Sequence, residues 1–228
     1  MKKAFFITGT DTNAGKTFFA ASLALTLKKK GLKVGVMKPI ETGCALRNNK
    51  LIPKDALLLK KAASSKDPLE VINPYRFGPP LSPSIAARLS GKKINFRRIK
   101  KLLEKILFEN DVTIVEGAGG LLSPVSGKKT VSDLIRYLDI PAIFVSPSRL
   151  GCISQTLLAT KYSKKAGIKI KGVVLSRVSK KSDLSIKYNA EELRNLGVPI
   201  MGEMPYSKKG KIAGIKNYVN LEKLKKGW

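Results

Sequence analysis

The chain has no histidine, so no imidazole can shuttle a proton. Its two cysteines, Cys44 and Cys152, are too few for a disulfide framework in 228 residues, and they read as reduced thiols. No stretch reaches the length of unbroken apolar sequence that a transmembrane helix needs. The N-terminus, MKKAFFITGTD, starts like a secretory signal. Its apolar run is too short, however, and leads straight into a glycine-containing loop, so a cytoplasmic location is expected. Acidic residues are scarce, 16 against 44 basic ones, for a net charge of +28. Thirty-five of the basic residues are lysine, scattered in pairs such as Lys60-Lys61, Lys100-Lys101 and Lys164-Lys165 and not interleaved with aromatics. That pattern reads as a solvated lysine surface rather than a nucleic-acid face, although its field attracts anions in general. Repeats, low-complexity tracts and linkers are also missing, so residues 1–228 are expected to form one domain.

What is present is an alternation. Short β-branched runs at Ala4–Thr8, Leu32–Lys38, Val112–Gly117, Pro141–Pro147, Ile170–Arg177 and Pro199–Pro205 read as buried strands. Between them, Lys16–Lys30, Asp55–Ala63, Ser84–Leu89, Phe96–Glu109, Val131–Asp139, Cys152–Ala166 and Ser182–Leu196 carry helical patterns. Asn73–Pro83 is a proline-rich loop. The expected fold is α/β, a mostly parallel central sheet with helices on both faces. Such sheets bind ligands at the carboxyl ends of their strands. Gly9–Thr17, Lys38 and Glu116 all fall at such ends.

The stretch Gly9–Thr17, GTDTNAGKT, ends in Gly-Lys-Thr between a strand and a helix. Backbone N–H groups there can cradle phosphates, a lysine can reach the outer phosphates, and the threonine hydroxyl can meet Mg²⁺. The usual spacing needs glycine at position 10, where this chain has Thr10, so the loop is of the deviant type. Partitioning ATPases with deviant loops carry an early signature lysine, and Asp11 stands there instead.

At these residues a resemblance emerges. The loop is similar to the Gly-Thr-Asp-Thr-Glu-Val-Gly-Lys-Thr of the dethiobiotin synthetase family. MKPIETG, KDALLL, NPYRFGPPLSP, VEGAGGLLSPVS, LGCISQTLL and GEMPY follow in that family's order and spacing, so the resemblance spans residues 4 to 206. It implies a P-loop ligase of biotin biosynthesis that uses CO₂, 7,8-diaminononanoate, ATP and Mg²⁺. It also implies a homodimer, because the family's substrate carboxylate is held by the neighbouring subunit.

Carried over by position, the resemblance makes Lys16, Lys38 and Thr12 the catalytic groups. Thr17, Asp55 and Glu116 become Mg²⁺ ligands, hard oxygens suited to that ion. Asn13, Ala14, Gly15 and Phe18 complete the loop on the nucleotide, followed by Gly117, Ala118 and Gly119. Ser176 and Arg177, with Pro205, Tyr206 and Ser207, fall at the base. Thr42 and Lys38 meet the diamine or carbamate, while Leu150, Gly151, Cys152, Ile153 and Tyr188 meet the substrate carboxylate.

Structural readings compete at several positions. Asp55 could be a helix cap, Thr12 and Thr42 loop hydrogen-bonders, and Tyr188 an amphipathic helix residue. Three departures from the family pattern stand out. Asn13 replaces a glutamate, Ser176-Arg177 replaces the Asn-Asp expected at adenine, and Ser84 stands where a histidine is common. A deviant P-loop ATPase acting on DNA or a protein partner is the second reading. An amide-forming ligase would require a glutaminase domain, and a non-catalytic relative would not need Lys16, Thr17, Lys38, Asp55 and Glu116 together.

Overall fold

The computed structural model describes residues 3–180, 183–207 and 212–225. In chain order the first half runs β1 (Lys3–Gly9), α1 (Lys16–Lys29), β2 (Val34–Met37), β3 (Ile40–Glu41), β4 (Ala45–Arg47), β5 (Lys50–Ile52), α2 (Lys54–Ala63), α3 (Leu69–Ile72), β6 (Tyr75–Arg76), α4 (Pro83–Leu89) and α5 (Phe96–Glu109). Then come β7 (Val112–Glu116), β8 (Pro124–Ser126), β9 (Lys129–Thr130), α6 (Val131–Leu138), β10 (Ala142–Pro147), α7 (Cys152–Lys165) and β11 (Ile170–Ser176). A 3-10 turn (Leu184–Lys187), α8 (Asn189–Asn195), β12 (Ile200–Met204) and α9 (Glu222–Lys225) complete the described chain.

Six strands form one sheet in the order β12-β11-β10-β1-β7-β2, and every pairing is parallel. The strands are apolar on both faces because helices cover both. Phe6, Val115 and Phe144 point into one core with α5 and α6, and Phe5, Ile7 and Ile114 into the other with α1 and α2. Phe5, Phe6 and Ile7 are at most 1% exposed, and burying side chains of this size contributes about 1.5–3 kcal/mol each. β1 sits inside the sheet: β7 and β2 lie on one side of it, β10, β11 and β12 on the other. The chain reverses its direction of winding here, and such a switch point opens a crevice for a ligand above the strand ends.

Several local expectations need correction. The helix expected over Ser182–Leu196 is a 3-10 turn followed by α8, with the break at Tyr188 (φ −111°). Asp183 opens the turn, its carboxylate accepting from the Ser185 N–H at 2.8 Å. Ser182 lies outside the described residues. The proline-rich stretch holds β6, which pairs in parallel with β3. The hairpin β4–β5 turns through Asn48 and Asn49, both left-handed at φ 47° and 56°, a conformation asparagine tolerates well. No helix among the described residues is long and apolar enough to cross a membrane.

Candidate active site

Above the end of β1 lies a cavity of about 410 Å³. The loop builds one wall with Thr12, Asn13, Ala14, Gly15, Lys16, Thr17 and Phe18; Lys38, Glu41, Thr42, Asp55, Glu116, Ala118 and Gly119 build the rest. Gly15 starts α1 at φ 91°, where a side chain is strained, and a Cβ there would stand 2.6 Å from Ser176 Oγ. Gly9 is needed for room, because a Cβ there would press on Lys16 Nζ at 3.2 Å. Thr10 takes the position where ordinary spacing has glycine. Its hydroxyl donates to Ser146 Oγ (3.0 Å), which also accepts from Thr156 (2.9 Å), so three hydroxyls tie the loop to β10 and α7.

Lys38 is the centre of charge. It leaves β2 and donates to Glu116 Oε1 (2.7 Å) and to the Gly117 carbonyl (3.0 Å), with Asp55 at 3.4 Å. Its own carbonyl accepts from Asn73 Nδ2, a fully buried amide contributed by the proline-rich stretch. Thr17 Oγ1 donates to the same Glu116 oxygen at 2.7 Å. Burial pulls Lys38 down, yet the Glu116 and Asp55 carboxylates outweigh it and hold the ammonium above its usual range. Burial pushes the Glu116 carboxyl up, with Lys38 opposing. Lys16 is only 7% exposed, and its Nζ donates to the Asp11 carbonyl at 3.0 Å. Burial first, then repulsion from Lys38, brings it down to about 8.

Two supporting side chains escaped the sequence reading. Glu41 accepts from the N–H groups of Asp55 (2.9 Å) and Ala56 (3.0 Å), so it caps α2 and aims Asp55 at the cavity. Asp55 itself lies inside the first turn, not at the cap, where Pro53 stands. Arg149 pairs with the Asp11 carboxylate at 3.0 Å. Glu41 lies within the quoted MKPIETG motif, but only the fold shows that α2 begins on its carboxylate.

Magnesium, implied by the family resemblance, fits these residues. Thr17, Asp55 and Glu116 offer hard oxygens in one cavity, and Glu116 Oε2 is buried without a hydrogen-bond partner among the described residues. No group of three or more His, Cys, Asp and Glu side chains gathers around a metal position among the described residues. An ion that keeps waters and phosphate oxygens in its shell does not need one.

The remaining expected residues divide. Gly117 lends its carbonyl to Lys38. Ser176 ends β11 against Gly15, and Arg177 donates its N–H to the Met204 carbonyl at 3.0 Å. Pro205, Tyr206 and Ser207 follow β12 beside them. Leu150, Gly151, Cys152, Ile153 and Tyr188 do not line this cavity. Leu150 is 80% exposed, and its N–H donates to the chain's own Asp183 carboxylate at 2.9 Å. Cys152 is buried at the start of α7, and Tyr188 is exposed.

A strand–loop–helix with paired lysines and oxygen donors over a parallel sheet defines a P-loop nucleotide-binding protein. Known proteins sharpen that class. A family model described as an AAA domain matches residues 3–211. The ATP-dependent dethiobiotin synthetase BioD of Thermodesulfovibrio yellowstonii is 38% identical over 215 residues, covering 90% of each chain. The BioD of Bacillus subtilis is 35% identical over 227 residues, covering 97% of each. The chain belongs to the dethiobiotin synthetase family of P-loop proteins. Among solved structures, a ParA family ATPase from Chlorobium tepidum shares the fold, with TM-score 0.58, 16% identity and coverage of all of this chain and 90% of that one.

Proposed function

We infer that this protein is an ATP-dependent dethiobiotin synthetase. The observation that carries the reading is the convergence of Lys16, Lys38, Thr17, Asp55 and Glu116 on one cavity at the P-loop, in a chain 38% identical to such an enzyme. In the reaction, one amine of 7,8-diaminononanoate loses a proton and adds CO₂, giving a carbamate. A carbamate oxygen takes the γ-phosphoryl group of ATP, and ADP leaves. The second amine then attacks the carbamyl carbon, the carbon–oxygen bond breaks, phosphate departs and the urea ring closes.

The chain's residues suit each demand. Loop N–H groups from Asn13 to Thr17 hold the phosphates at the start of α1. Phosphoryl transfer spreads charge over several oxygens, and preorganised ammonium groups stabilise it without reorganising. Lys38 is fixed in advance by Glu116 and Gly117, while Lys16 is released from the Asp11 carbonyl when a phosphate oxygen replaces it. Bound Mg²⁺, held by Thr17, Asp55 and Glu116, supplies neutralising charge for the phosphates. Thr12 and Thr42 line the same space and orient the carbamate. With no histidine, the attacking amine gives its proton to water or to the departing phosphate.

Leu150–Ile153 and Tyr188 lie outside their own chain's cavity, so in this reading they receive the substrate carboxylate at the cavity of a second copy. A homodimer is therefore the proposed working form, and light scattering on the purified protein checks it. The activity test supplies diamine, bicarbonate, Mg²⁺ and ATP and follows dethiobiotin by mass. Phosphate release that ignores the diamine would reject the reading in favour of a plain ATPase.

A further inference from the structure

The direction of the bound nucleotide follows from the sheet. Lys38 and Glu116, which face the transferring phosphoryl group, leave β2 and β7 on one side of β1. The nucleoside end must then leave the loop toward the other side, where β10, β11 and β12 end. Gly15 marks the passage, because a Cβ on it would meet Ser176 Oγ at 2.6 Å and Val178 Cγ1 at 3.8 Å. What waits there is Arg177. Its backbone is pinned to β12 through the Met204 carbonyl, and it takes part in none of the ion pairs among the described residues. Its Nε is buried and has no hydrogen-bond partner among the described residues. A buried donor left unmade is costly, and no acceptor for this Nε stands among the described residues, which leaves it open to a ligand's acceptor. Val178 and Tyr206, 42% and 40% exposed at the two strand exits, add apolar surface for a ring.

We propose that Arg177 reads the nucleobase, and that the enzyme therefore binds GTP and CTP in preference to ATP and UTP. A guanidinium is a rigid fork of donors with no acceptor. It pairs in two-pronged fashion with two neighbouring acceptors. Guanine presents O6 and N7 side by side, and free cytosine presents O2 and N3. On adenine N1 and N7 each stand beside the amino donor rather than a second acceptor, and on uracil N3–H separates the carbonyls, so neither offers the pair. Ser176 is 2% exposed against the loop and brings no amide to match adenine. ATP remains a substrate through its phosphates. This inference rests on the proposed seating of the phosphates in the loop.

The test measures the affinities of the four Mg-triphosphates by competition against a fluorescent GTP analogue, alongside dethiobiotin formation with each. A two-pronged contact predicts GTP and CTP binding at least about five-fold more tightly than ATP and UTP. Arg177→Ala should level the four affinities, and Arg177→Asn should shift the preference to ATP. Tighter binding of ATP than of both GTP and CTP, or a preference that survives Arg177→Ala, overturns the proposal. Dethiobiotin made efficiently from ATP alone also overturns it while leaving the synthetase reading intact. The predicted binding order without dethiobiotin from any triphosphate rejects the synthetase reading and upholds the role of Arg177.

Discussion

Replacing Lys38 by methionine leaves Glu116, fully buried, with its cation gone. Removing one partner of a buried ion pair costs roughly 3–5 kcal/mol, because the other charge stays desolvated. At about 2–4 °C per kcal/mol for a chain of this size, the melting temperature should fall by roughly 6–20 °C at pH 8. The deficit should depend on pH with a definite sign. Burial already pushes the Glu116 carboxyl up, and losing Lys38 removes the charge that opposed that push. The folded variant then holds a proton that the unfolded chain gives up, so its stability relative to wild type falls as pH rises from 5 to 8. Glu116→Gln in the same chain removes the stranded charge and keeps the shape. The double variant should regain at least about 2 kcal/mol over the sum of the two single effects. Calorimetry of the four proteins at pH 5, 6.5 and 8 reads all of this. A Lys38→Met melting point within about 2 °C of wild type at pH 8, or single effects that simply add, would refute the buried-pair argument.

Other outcomes follow from the same geometry. Lys16, brought down to about 8, is partly neutral at pH 8, and an anionic triphosphate restores its proton. Calorimetric titrations in buffers of different ionisation heat should show proton uptake on nucleotide binding at pH 8 and none from this residue at pH 6; Lys16→Met should abolish the uptake. In the free protein the unfolded chain holds more protons than the folded one between pH 8 and 10.5, so the contribution of Lys16 to stability should improve across that window. Gly15→Ala forces a left-handed residue and a 2.6 Å contact on Ser176, so triphosphate affinity should collapse and stability drop by about 1–2 kcal/mol or more. Glu41→Ala strips two hydrogen bonds from the start of α2 and frees Asp55 from its aim. A loss of about 0.5–2 kcal/mol with a raised Mg²⁺ requirement is expected, and an unchanged Mg²⁺ dependence would contradict the positioning role.

Much of this architecture was legible in the residues. The apolar strands declared themselves because both sheet faces are covered, and α5 ran over Phe96–Glu109 as its periodicity implied. Gly9, Lys16, Lys38 and Glu116 could be placed at strand ends by counting alone. Other features depend on contacts between distant segments. Glu41 caps a helix 14 residues ahead of it, and the hydroxyl link from Thr10 to Ser146 spans 136 residues. Short strands such as β3 and β6 have no periodicity to read; only their mutual pairing makes them strands. Over the stretch expected as one helix to Leu196, Asp183 caps a 3-10 turn and α8 starts only after Tyr188, an interruption that the residue pattern does not signal. Asn13 illustrates a departure that the backbone explains. Its φ is 57°, a left-handed value that asparagine accepts more readily than glutamate.

A cavity that transfers a phosphoryl group to a carbamate oxygen leaves a mark on the phosphate it releases. Bicarbonate freshly labelled with oxygen-18, supplied with diamine, Mg²⁺ and unlabelled ATP, tests it at the level of single atoms. When the ring closes, the oxygen joining carbamyl carbon to phosphorus leaves with phosphorus. Mass spectrometry should therefore find released phosphate carrying one labelled oxygen in proportion to the dethiobiotin formed. Phosphate that takes no oxygen from the bicarbonate, in the presence of all four reactants, would contradict it.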